Sequence, residues 1–382
     1  MNHLFKPLRH SVVGKNSIIT NNYIPMKIFS LLFISLFAAM GCSSTKSDYE
    51  PSLTESMYFP SNSSENWETK SATSLGWNAN AITQLKDFLN QKNSKAFIIL
   101  VNGRIVMEEY FDGQLATDNW EWNSAGKTLV AATVGIAQHE NLVSINKPVS
   151  DYIGIGWTNE PLVKERMITS KHLLSMTSGL NDTYNLVQPS NLTYVADAGT
   201  RWSYHNVFQK LIDVVSQASN KNFETYFDEK LKSKIGMQGY WNFGPIFKIY
   251  HSNARSMARF GLLALNKGTW KTEQVLDSVY FKECIQSSQN INPSYGYLWW
   301  LNGKTSSMYP GGQTIYQGSL VPNAPSDMFA AMGANDQRLY VIPSKKMVIV
   351  RMGNASDPNN PNFAVSGFDN ELWRHLNEVI NK

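Results

Sequence analysis

The chain has 382 residues, 42% of them hydrophobic and 17% charged, with a formal net charge of +4. So low a charged fraction, beside 11 Trp, 17 Tyr and 18 Phe, suits a large packed core and excludes disorder beyond the N-terminal segment. No Lys/Arg block of the kind that marks a nucleic-acid groove is present, so a nucleic-acid partner is not expected.

The chain opens on an address. After Met26-Lys27 comes an apolar run from Ile28 to Met40, then Gly41-Cys42-Ser43-Ser44. A short basic region, about a dozen apolar residues and a small-residue exit form a secretory signal, with Met26 as an alternative start. The run is shorter than the ~20 residues of a membrane-spanning helix. Cys42 after Gly41 resembles a bacterial lipoprotein cleavage site, although Ala39 and Met40 stand where Leu and a small residue are commoner. Ser43, not Asp, by the same resemblance points to the outer membrane. The expectation is a periplasmic lipoprotein anchored through Cys42; a soluble secreted protein is the alternative. Residues 1–42 are then the signal, and residues 43–74, rich in Ser, Thr, Asn, Glu and Lys, a tether.

Residues 75–382 read as the folded part. Asn80 to Asn93 has Ile82, Leu85, Phe88 and Leu89 at helical spacing. The apolar runs Ala96–Val101 and Arg104–Met107 flank Asn102-Gly103, a strong hairpin signal. The middle, from Asn123 to about Lys267, is mostly helix and loop, and a helical subdomain is expected over about 140–250. Within it, Ser170 can cap Lys171–Met176, and Val207–Ala218, Phe223–Leu231 and Arg255–Asn266 are further helices. Gly261 and Ala264 leave room for a close neighbour. Met328–Met332, Leu339–Ile342 and Met347–Val350 predict three antiparallel strands, with a turn at Pro343-Ser344-Lys345. A closing amphipathic helix carries Phe368, Leu372, Leu376, Val379 and Ile380. The economical architecture is α+β: one antiparallel sheet built from both termini with flanking helices, and a helical subdomain inserted.

One local pattern carries chemistry. Lys127 lies three residues after Ser124, and an apolar, small-residue helix follows at once. On a helix, residues at i and i+3 share a face. The helix start adds unpaired N–H groups and partial positive charge. A serine, a buried lysine as base and backbone donors for an oxyanion are the parts of an acyl-transfer site. The same spacing at Ser43/Lys46 and Ser144/Lys147 precedes no such helix. Cys42 and Cys284 belong to no ligand cluster. His139-Glu140-Asn141-Leu142-Val143 fails H-E-x-x-H, and Gly154-Ile155-Gly156-Trp157 fails the dinucleotide fingerprint, so neither metal nor cofactor is expected.

Further motifs follow in order: His172 to Leu180, Gly199-Thr200-Arg201-Trp202-Ser203-Tyr204-His205-Asn206, Ile235-Gly236-Met237, Ala258-Arg259-Phe260-Gly261, and Tyr295-Gly296-Tyr297-Leu298-Trp299-Trp300. The set resembles the serine β-lactamase and penicillin-binding-protein superfamily in its class C-like branch, which includes esterases and 6-aminohexanoate-dimer hydrolase. The resemblance spans roughly residues 75 to 380. It implies that Ser124 is acylated, that Lys127 takes its proton and that Tyr204 passes a proton to the leaving group. It also implies that Asn206 holds Lys127 or the substrate amide. Tyr240-Trp241-Asn242 has the same spacing but reads as core or loop.

The family's Lys-Thr-Gly, or Gly-His-Gly-Gly-Gln, is replaced by Gly333-Ala334-Asn335-Asp336-Gln337. Gly333 and Gln337 fit, with Gln337 in a supporting role, while Ala334 stands where a His or Lys is expected. A backbone N–H here can still complete an oxyanion hole. Asn335 and Asp336 are expected to face the substrate, with Asp336 repelling a carboxylate, and Trp299 and Trp300 to line the cleft. Gly311-Gly312-Gln313 is an alternative third element, read as a turn. The expected function is a serine hydrolase acting on small amides or esters. A D,D-peptidase or β-lactamase, and a non-catalytic envelope binding protein, are the alternatives.

Overall fold

A computed structural model describes residues 55–360 and 364–381. The signal, Met26 and Cys42 lie outside the described residues. Among those described, no helix is long and apolar enough to cross a membrane.

Helix α1 (Ala79–Gln91) leads into strands β1 (Ser94–Val101) and β2 (Arg104–Tyr110). They turn at Asn102 and Gly103, which both take positive φ (51° and 81°), as a two-residue hairpin with the right twist requires. Strand β3 (Trp120–Glu121) comes next, and a 3-10 turn at Asn123–Gly126 opens α2 (Lys127–His139). The helical middle contains α3 (Lys210–Ser219). Strands β4 (Tyr240–Phe243) and β5 (Lys248–Ser252) then precede α4 (Ala254–Leu265). The C-terminal third supplies β6 (Trp300–Leu301), β7 (Phe329–Gly333), β8 (Gln337–Ile342), β9 (Met347–Gly353) and α5 (Gly367–Ile380).

The main sheet runs β2-β1-β9-β8-β7-β6 and is antiparallel throughout. Ile98 pairs with Val350, and Leu339 with Val350 from the other side, so the two ends of the chain meet at its centre. The α+β architecture built from both termini is therefore the observed one. Helices α1 and α5 pack together, with Phe88 stacked on Phe368 at 5.9 Å. Helix α4 lies against β9, β8 and β1. A Cβ on Gly261 would stand 2.5 Å from Val348 Cγ1, so glycine is what lets α4 approach the sheet.

Three expectations need correction. The middle is not helix and loop alone: β3, β5 and β4 form a second, three-stranded sheet. Tyr240-Trp241-Asn242 is thus strand, with Trp241 buried between Phe223 and Phe227. The helix at Ser170–Leu174 is capped by Thr169, in a reciprocal box with His172, not by Ser170. The expected tether is packed from Glu55 onward. Phe59 meets Trp270 edge-on, Arg259 donates to the Ser61 carbonyl, and Thr69 bridges Ile105.

Candidate active site

Ser124 sits on the 3-10 turn between β3 and α2. The turn is clamped on both sides. The Trp122 amide donates to Tyr250 O at 2.8 Å, and its indole Nε1 to Ser252 Oγ at 2.8 Å, which ties it to β5. Asn123 Nδ2 donates to the Ala334 carbonyl at 3.1 Å, which ties it to the end of β7. Asn123 has φ 49°, a left-handed conformation that asparagine tolerates better than most residues.

Lys127 Nζ lies 2.8 Å from Ser124 Oγ. The lysine is only 5% exposed and, among the described residues, forms no ion pair. Burial, with no carboxylate to oppose it, lowers its pKa to about 7, so a large fraction is free amine at neutral pH. The rings of Phe208 and Tyr204 stand 4.5 and 4.8 Å from the nitrogen and favour its charged form once it takes a proton.

Tyr204 is packed by aromatic neighbours: Trp300 stacks at 5.6 Å, Tyr295 meets it edge-on at 6.1 Å, and Trp202 lies at 6.3 Å. Burial pushes its phenol up to about 12, against hydrogen bonds with the Ser124 and Trp300 side chains that pull it down. The hydroxyl therefore keeps its proton at neutral pH.

Strand β7 ends against Ser124. Ala334 lines the same cavity as Ser124, and among the described residues no turn, loop or cap hydrogen bond uses the amide of either residue. Two buried arginines hold this turn from behind. Arg338 donates to Gly333 O at 2.8 Å, and Arg351 to Asn335 O at 2.8 Å.

The other expected site residues are placed unevenly. Asn206 lines the cavity, but its amide donates to Asn185 O and makes no bond to Lys127. Asn335 reaches Glu121 at 3.3 Å. Gln337 is fully buried, and its amide links to Gly353 in both directions, at 2.6 and 3.1 Å. Asp336 is 3% exposed and pairs with Arg338 and Ser366. Burial would raise its pKa, but the Arg338 charge and the bonds from Ser356 and Ser366 outweigh it and hold the carboxyl below its usual range. Repulsion of a substrate carboxylate by Asp336 therefore does not arise. Trp299 packs among Phe260, Phe281 and Phe329, and Trp300 supports Tyr204; neither lines the cavity. Gln313 donates to Trp202 O, outside the Ser124 cavity.

The cavity at Ser124 measures about 240 Å³. Its far wall is Phe208, Gln209, Phe247, Lys248 and Ile249, none of them expected from the motifs. A usable signal was present: Gly244-Pro245 interrupts an apolar run from Trp241 to Tyr250, which is a hairpin pattern. A larger hollow, about 510 Å³, lies between the N-terminal strap, α1 and β2 and holds no serine–lysine pair of this kind. Among the described residues no group of three His, Cys, Asp or Glu could hold a metal.

A family model described as Beta-lactamase matches residues 89–370. No curated protein matches the sequence significantly. Solved structures with the same fold include a Bacillus anthracis protein assigned as a 6-aminohexanoate-dimer hydrolase. It is 20% identical, with TM-score 0.59 over 76% of this chain and 80% of that one. A family VIII carboxylesterase is 15% identical, with TM-score 0.60 over 78% and 97%. A Mycobacterium bovis β-lactamase is 17% identical, with TM-score 0.57 over 79% and 100%.

Proposed function

The chain belongs to the β-lactamase family, and on that premise we propose that it is a serine hydrolase that cleaves small amides or esters through an acyl-enzyme on Ser124. The observation that carries this reading is the 2.8 Å contact between Ser124 Oγ and a buried Lys127 amine with no carboxylate beside it.

In the acylation step, Lys127 accepts the Ser124 proton as Oγ bonds to the carbonyl carbon. The carbonyl oxygen becomes an oxyanion held by the Ser124 and Ala334 amides, a role that needs no particular side chain at position 334. One such donor is typically worth ~10²–10³ in rate. The C–N or C–O bond then breaks, and the Tyr204 phenol gives its proton to the leaving group. Protonated Lys127 returns a proton to Tyr204, which restores both residues. Water repeats the sequence in reverse and releases the acid.

Asn206 has the support of its place in the cavity wall, as a contact for the substrate rather than for Lys127. Envelope anchoring through Cys42 is part of the same proposal and is checked by metabolic labelling with a fatty acid, which Cys42→Ser abolishes if the anchor exists.

The catalytic reading is tested by intact-mass spectrometry after exposure to a fluorophosphonate. A single adduct on wild type, absent in Ser124→Ala and slowed in Lys127→Ala, is expected. Folded wild-type protein that takes no adduct would return the chain to the non-catalytic binding class.

A further inference from the structure

The cavity at Ser124 does not end at its apolar wall. Gln209 and Lys248 line both it and an adjoining, more polar hollow of about 130 Å³. That second hollow runs over Val187, Pro245 and Ile246 and presents Lys210 and Asp213. The two make one groove, which leads from the nucleophile past Phe208, Phe247 and Ile249 to Lys248 and Lys210.

The charges along the groove are not balanced. No carboxylate lines its first part. In the second, Asp213 is engaged by Lys210 at 3.0 Å. Lys248 donates only to the Gly244 carbonyl, at 3.0 Å, and stands 5.9 Å from the Phe243 ring centroid. Among the described residues it has no acidic partner, whereas Lys230, Lys232 and Lys234 each have one. The acids near the nucleophile are committed elsewhere: Asp336 to Arg338, and Glu121 to the amides of Asn123 and Asn335. An ammonium bonded only to a neutral carbonyl keeps two donors and its full attraction for an anion.

The arm of the substrate that enters the groove follows from Tyr204. The leaving group must meet the Tyr204 phenol to be protonated. Tyr204 is absent from the groove lining and is held instead among Trp202, Tyr295 and Trp300. The groove therefore takes the acyl arm.

We propose that the groove selects an acyl arm that carries a carboxylate beyond a short apolar stretch, with Lys248 as the specificity-determining residue. Phe208, Phe247 and Ile249 cover the methylenes, and Lys248 meets the anionic end. The inference rests on the hydrolase reading above.

The test compares two esters of equal backbone length, 4-nitrophenyl hexanoate and the mono-4-nitrophenyl ester of adipic acid, which differ only in a terminal methyl or carboxylate. Wild type is expected to favour the adipate ester by about tenfold in kcat/KM, the scale of one hydrogen bond to a charged group. The preference should shrink as salt is added. Lys248→Met should remove it, Lys248→Glu should reverse it, and Lys248→Arg should keep it. Equal turnover of the two esters by wild type, or a preference unchanged in Lys248→Glu, overturns the proposal. If Ser124 takes the fluorophosphonate but shows no charge preference, the groove assignment alone fails. If neither ester is turned over and Ser124 stays unlabelled, the hydrolase reading has failed first.

Discussion

Gly333 and Ser124 are in backbone contact: a Cβ on Gly333 would stand 3.1 Å from the Ser124 amide nitrogen and 2.4 Å from the Trp122 carbonyl oxygen. The φ of Gly333 is −126°, ordinary extended backbone, so it is this approach and not the dihedral that demands glycine. Any side chain here must push β7 away from the Ser124 turn and carry the Ala334 amide with it. Gly333→Ala is therefore expected to slow fluorophosphonate labelling of Ser124 by about 100-fold, the usual consequence of an ångström-scale displacement. Circular dichroism should still show a folded chain. Labelling at the wild-type rate would mean that the Ala334 amide has no part in the reaction.

Lys127 links activity and stability to the same titration. In the proposed mechanism the base is the free amine, so kcat/KM should rise with pH through about 7 and level off above it. The stability effect has the opposite origin. The folded pKa lies below the ordinary 10.5, so between about 7 and 10.5 the unfolded chain binds the extra proton. Stability from this group therefore rises with pH across that window, and below it the folded state carries a constant penalty. Lys127→Met should slow labelling yet unfold at a higher temperature at neutral pH, by an amount on the order of a few kcal/mol. The gain should fade as pH approaches 10.5. A destabilised Lys127→Met at neutral pH would contradict the burial argument.

What was legible in the sequence was local. The Ser124–Lys127 contact follows from i,i+3 spacing at a helix start, and the β1–β2 turn from Asn102-Gly103, whose residues take positive φ with little strain. The three C-terminal strands and α5 are marked by runs of apolar residues with turn residues between them. Illegible features depend on pairing at long range. Phe247, Lys248 and Ile249 reach the Ser124 cavity because β5 pairs with β3. The direction of Asp336 and Gln337 is set with distant partners, Ser356 and Ser366 beside the nearby Arg338 for one and Gly353 for the other. Trp299 and Trp300 are adjacent in a strand-like run and so point to opposite sides, one into the core against Phe260 and one onto Tyr204.

Tyr204 offers a test that separates proton donation from packing. Its hydroxyl is protonated at neutral pH, and its role matters only when the leaving group needs a proton. Tyr204→Phe keeps the ring against Trp300 and Trp202 and removes only the hydroxyl. It should cost ~10²–10⁴ in kcat/KM on amides and simple alkyl esters, the range of general acid catalysis, but much less on 4-nitrophenyl esters. Equal losses on both classes would show that the hydroxyl orders the site without donating to the leaving group.

Behind the β7–β8 turn lies a buried ionic group whose loss should reach the site through the backbone. Arg338 is fully buried and makes two bonds to Asp369, through Nε and Nη2, and one to Asp336. It also holds the Gly333 carbonyl at 2.8 Å. Asp369 caps α5 from its third position and accepts from Tyr340 as well, so one carboxylate joins the helix, the sheet and the turn. Removing one partner of such a buried pair leaves the other charge uncompensated and typically costs ~3–5 kcal/mol. Asp369→Asn is expected to lower stability by that order in urea unfolding, with the slope against denaturant unchanged. Arg338→Met should destabilise less when combined with Asp336→Asn and Asp369→Asn than alone, because the triple change removes the unpaired acids. If Asp369→Asn were as stable as wild type, the Arg338–Asp369 pair would not be what holds the turn, which would leave the bonds from Asn123 and Arg351 to carry it.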